Sequence, residues 1–120
     1  MMATLPVLRL HCSQIEQILG YCAAFRSSLW QNTLPTPERN QTLRRMQMLQ
    51  ARLEKVQEQR QEEYTLSLTD EEQHTLKHLL TEMLRLVSSS PSSQQRTQQV
   101  AEVAELRVLV ERTFRRTQAF

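Results

Sequence analysis

The sequence predicts an all-α protein: two tandem helical hairpins forming a four-helix arrangement, each hairpin preceded by a short extended segment. Three observations predict it. The 120 residues contain a single glycine, whereas an all-β fold needs many tight turns with positive φ. Gln, Glu, Leu and Arg dominate the composition, and linear side chains of this kind lose little rotamer freedom in a helix. The second half also echoes the first. Ile18, Cys22, Phe25 and Leu29 recur 58 positions later as Leu76, Leu80, Met83 and Val87, the mark of a repeated supersecondary unit. At an offset of 57, Met46, Leu49 and Leu53 map onto Val103, Leu106 and Val110. The halves match in pattern more than in identity, so a duplication of about 5–63 in 64–117 is expected within one 120-residue domain.

The elements follow in order. Residues 1–12 read as an extended lead-in. Ser13 and Glu16 have capping-box spacing. Ile15, Ile18, Leu19, Cys22, Phe25 and Leu29 then hold helical spacing through Trp30. Pro35 and Pro37 end that helix, because each pushes the residue before it out of the α region. Thr36 suits the next N-cap and Pro37 the first helical position. The second helix is expected from about residue 37 to 62, near ~38 Å long. Its narrow stripe of Met46, Leu49, Leu53 and Val56 has coiled-coil spacing, with Arg60 at the next core-like position.

Tyr64, Leu66 and Leu68 alternate with polar residues, which predicts an extended segment. This segment and Leu8–Leu10 are expected to pair as a two-stranded ribbon on a pseudo-twofold axis. Thr69 and Glu72 form a second capping box, with Asp70 and Glu71 suiting the positive end of a helix dipole. The third helix spans about 70–88, with Leu76, Leu79, Leu80, Met83, Leu84 and Val87 inward. A serine-rich stretch around Pro91 breaks it. The fourth helix spans about 94–117, with Val100, Val103, Leu106, Val110 and Phe114 on one face.

Composition narrows the function classes. Hydrophobic residues make up 39% and charged residues 23%, which suits neither a disordered tail nor a membrane protein. Fifteen basic and 13 acidic residues leave a net charge of +2, which announces no face for displacing phosphate counterions. Pro6, Arg9 and His11 interrupt the first apolar run, so no secretory leader is expected. The cytoplasm is the expected compartment. A structural disulfide between Cys12 and Cys22 is not expected there.

Several constellations have chemical potential. His74 and His78 have the i, i+4 spacing of a zinc pair, and Glu71 precedes His74 by three as in di-iron bundles. On a helical wheel, however, they lie roughly 160° to 220° from Leu76, facing away from the core. No metal site, cofactor or small-molecule substrate is expected. Cys12 precedes a helix start, where a thiolate is stabilised. A pairing with His11 is not expected, since an extended backbone points neighbours to opposite sides. Asp70, the sole aspartate, is explained by the helix start, and no catalytic residues are assigned.

Trp30, the lone tryptophan, is expected to plug the space beneath the first interhelical loop beside Leu34; its alternative role is a partner anchor. Val108 and Leu109 lie off the fourth helix's stripe. With Trp30 they form the candidate protein interface. The expected function is therefore a small non-enzymatic helical interaction protein that self-associates or binds a protein partner. The alternative is a nucleic-acid-binding regulator using Arg44, Arg45, Arg52, Arg115 and Arg116 of the second and fourth helices. Interspersed glutamates oppose that alternative. Glu111, for example, is placed to pair with Arg115.

Overall fold

A computed structural model describes residues 7–89 and 94–118, with the side chains of Asn32, Gln94 and 115–118 left undescribed. Residues 1–6 of the lead-in and the serine-rich break around Pro91 fall outside the described residues. The chain runs β1 (Val7–His11), α1 (Cys12–Asn32), α2 (Pro37–Gln57), β2 (Glu63–Ser67), α3 (Asp70–Ser88) and α4 (Gln94–Gln118). All-α is thus the class, with four helices and one small two-stranded sheet among the described residues. The order strand, helix, helix occurs twice.

The chain divides into two compact units, one from Arg9 to Thr65 and the other from Leu66 onward together with Leu8. In the first, α1 packs on α2; in the second, α3 packs on α4. Each pair exists because each helix carries one apolar stripe that water cannot cover. Ile15, Ile18, Cys22 and Phe25 of α1 are buried, as are Met46, Leu49 and Leu53 of α2. In the other unit Leu76, Leu79, Leu80 and Met83 of α3 are buried, with Val103, Leu106, Val110 and Phe114 of α4. The flanking Leu19, Leu29, Val56, Leu84, Val87 and Val100 are half-buried.

The expected ribbon is present. β1 and β2 pair, and the Cys12 N–H donates to the Glu62 carbonyl at 2.8 Å just beyond their shared end. The end of β1 therefore meets the start of β2, so the strands are antiparallel. Leu8 and Leu10 alternate with exposed Val7 and Arg9, and buried Tyr64 and Leu66 alternate with exposed Glu63 and Thr65.

Two helix boundaries differ from expectation. α1 begins one residue before Ser13, with His11 as its N-cap. The cause is the ladder: it holds the chain extended through His11, and Cys12 gives its N–H to the strand. The His11 imidazole then accepts from the Ser13 N–H at 3.2 Å, and Gln14 Oε1 accepts from the His11 N–H at 2.8 Å. This is a capping box built on histidine instead of the Ser13–Glu16 pair.

α2 ends at Gln57 instead of about 62. Gln59 N–H bonds Val56 and Arg60 N–H bonds Gln57, tightening the last turn. Arg60 then adopts φ 50, a left-handed conformation that no helix continues through. The Gln61 N–H donates to the Tyr64 hydroxyl at 2.8 Å, turning the chain into β2. Arg60 is exposed, so it occupies no core position.

The other starts agree with expectation. Thr36 caps α2 through the Arg39 N–H at 3.1 Å, with Pro37 in the first turn. Thr69 and Glu72 cap α3 reciprocally, at 3.2 Å and 2.9 Å. Gln73 and Thr75 are buried although polar. Each has a backbone partner: Gln73 Nε2 donates to the Leu68 carbonyl at 3.0 Å and Thr75 Oγ1 to the Glu71 carbonyl at 2.8 Å.

Candidate interaction surface

The turn from α1 to α2 holds the most exposed apolar side chains of the described chain. Trp30 is 69% exposed and Leu34 79% exposed. The expected plug is therefore absent. Pro35 and Pro37 hold the connection extended, and a Thr36 N–H bond to the Leu34 carbonyl at 2.8 Å tightens it. Leu34 consequently projects outward. The ring of Trp30 meets Arg39, whose guanidinium lies 4.5 Å over its centroid.

Arg39 is a residue that sequence periodicity missed. It is 9% exposed, donates Nη1 to the Thr33 carbonyl at 3.3 Å, and leaves a buried Nε with no hydrogen-bond partner. Arg39, Met46 and Leu53 recur every seven residues, about two turns apart, which puts Arg39 in line with them on the wheel and is the signal that locates it. At an exposed site such a cation–π contact is worth about 0.5–1 kcal/mol.

Beside Trp30 a groove of about 460 Å³ runs along the helix pair. Its walls include Ala23, Arg26, Ser27, Leu43 and Gln47, and none of its lining residues is acidic. Arg26 Nη1 donates to Gln50 Oε1 at 2.8 Å, and Gln50 Nε2 to Glu54 Oε1 at 3.0 Å. Below this polar chain sits the Cys22 thiol, whose pKa burial pushes up to about 11; nearby Arg26 opposes the rise and Glu54 adds to it. Arg26 against Gln50 and Trp30 against Arg39 show that α1 and α2 run in opposite directions.

The remaining candidates are distributed differently. On α4, Val108 is 52% exposed and Leu109 half-buried. Among the arginines, Arg44 is exposed while Arg45 and Arg52 are half-buried and already engaged within the chain. The side chains of Arg115 and Arg116 lie outside the described residues. Glu111, expected to pair with Arg115, accepts from Arg107 Nε at 3.2 Å. His74 and His78 are exposed, as the wheel requires, and His78 lies 4.0 Å from Glu82. Among the described residues no group of three His, Cys, Asp or Glu side chains is placed to hold a metal.

Cys12 and His11 do meet, contrary to expectation. Sγ lies 3.7 Å from Nδ1, because the chain bends from strand to helix at that point and strand alternation no longer applies. Nδ1 has one lone pair, already accepting from Ser13 N–H. The imidazole thus acts as a cap, and taking a proton from the thiol would cost that bond. Its Nε2 faces Glu62 Oε1 at 3.8 Å.

Among the described residues, no helix is long and apolar enough to cross a membrane. Compared with known proteins, the chain matches no family model, and no curated protein or solved structure matches it significantly.

Proposed function

We propose that this chain is a non-enzymatic helical interaction protein that associates with itself. The observation that supports this best is the exposed Trp30, with the Arg39 guanidinium over its ring. Tryptophan carries large apolar area and one N–H donor, and it is enriched where interfaces concentrate their binding energy. Exposed Leu34 and Met48 extend the apolar surface of that unit, and Val108 with Leu109 offers a second patch on α4.

The nucleic-acid alternative has less support. Of Arg44, Arg45 and Arg52, only Arg44 is exposed. The compartment that fits is the cytoplasm, where Cys12 and Cys22 would stay as the free thiols they are here. Light scattering over a range of concentrations tests the reading. Growth of mass above 14.1 kDa supports it, and a strict monomer at high concentration rejects it.

A further inference from the structure

We propose that His74 and His78 form a surface site for a divalent transition-metal ion, chelated by the two imidazoles. The inference is independent of self-association and holds equally for a monomer. Both side chains are exposed on α3. That rules out a dry site inside a helix pair, and it is what a surface chelate requires. They lie four residues apart on one helix, so their Cβ atoms stand about 6 Å apart on one face. At this spacing two imidazoles on a helix reach a single zinc ion.

The backbone beneath them is fixed. Thr69 and Glu72 cap the start of α3 reciprocally, and Leu76, Leu79, Leu80 and Met83 bury its opposite side. Chelation therefore orders two side chains and no backbone, which keeps its entropic cost small. His78 Nε2 faces Glu82 Oε1 at 4.0 Å. As an exposed ring it changes rotamer rapidly, which lets it turn towards His74.

The surrounding charge suits a dication. Exposed Asp70 and Glu71 lie one turn before His74, and Glu82 lies one turn after His78. Carboxylates thus stand at both ends of the imidazole pair. Lys77 is the base nearest in sequence, and its ammonium lies 5.4 Å from the centroid of the buried Phe114 ring of α4. Its charge is drawn to the packed side of the helix. Arg85 is held by Glu82 at 2.8 Å.

The donor set selects the ion. Imidazole nitrogen suits Zn²⁺, Ni²⁺ and Cu²⁺, whereas Mg²⁺ and Ca²⁺ favour oxygen ligands. Among the described residues no three His, Cys, Asp or Glu side chains are grouped around one point. The chain therefore supplies two nitrogens, and water completes the coordination shell.

Isothermal titration calorimetry of the full chain with Zn²⁺, near neutral pH, tests the inference. Cys12→Ser is the background, because a thiol 3.7 Å from the His11 imidazole is a competing zinc ligand. The expected result is one saturable site per chain for Zn²⁺ and none for Mg²⁺. His74→Gln and His78→Gln should each weaken binding roughly tenfold or more, since losing even an outer-shell partner of a metal costs that much. Both positions are exposed, so folding is retained. Zn²⁺ should also raise the midpoint of thermal unfolding in the background chain and in neither histidine variant, because the imidazoles stay in register only while α3 is helical. An absent site, or one that either histidine substitution leaves intact, overturns the inference.

Discussion

Arg60 and Cys22 have the most measurable consequences among single residues. Arg60 is exposed at φ 50, where an L side chain crowds its own carbonyl. Arg60→Gly removes that strain at some cost in unfolded-chain entropy, and chemical denaturation should find it more stable by roughly 0.5–1 kcal/mol. Cys22 is fully buried, and its thiol is pushed up from 9.0 to about 11. The folded chain therefore holds that proton more tightly than the unfolded chain. The resulting stability is fully present below about pH 9 and drains away as pH rises through about 11. Unfolding curves between those values should show a loss on the order of 2 kcal/mol that Cys22→Ala lacks. In the native protein a thiol reagent should modify half-buried Cys12 and reach Cys22 only after denaturation.

Secondary-structure elements start where their caps dictate, and the caps can be tested individually. Thr69→Ala removes the hydroxyl that receives Glu72 N–H and should cost about 1 kcal/mol. His11→Ala should cost a similar ~1 kcal/mol, while His11→Asn, whose side chain also accepts, should retain most of the cap. Much of this was legible in sequence. The offset of 58 relates residues of equal burial: Ile18 and Leu76, Cys22 and Leu80, Phe25 and Met83 are all buried, and Leu29 and Val87 are both half-buried. The same offset carries the Thr69–Glu72 box back to His11–Gln14, which is where the first box lies. Hydroxyl preference pointed to Ser13 because imidazole is a rare cap; the repeat itself held the better signal. The end of α2 was not legible, since Glu58 to Gln61 are good helix formers and the chain leaves the helix through the left-handed Arg60 and the Gln61–Tyr64 hydrogen bond, which local sequence does not signal. Apolar character predicts burial for Trp30, and its exposure comes instead from the neighbouring prolines, which carry the turn away from it.

At the scale of the whole molecule, burial accounts for each helix pair but leaves one surface unexplained. The α1–α2 unit hides its stripe and still displays an exposed indole with a guanidinium over its ring. An exposed tryptophan is the kind of side chain that interfaces use as an anchor. The most direct measurement is multi-angle light scattering of the full chain at rising concentration in low salt. The predicted result is a mass that climbs from 14.1 kDa towards twice that value. A mass fixed at 14.1 kDa throughout would contradict it.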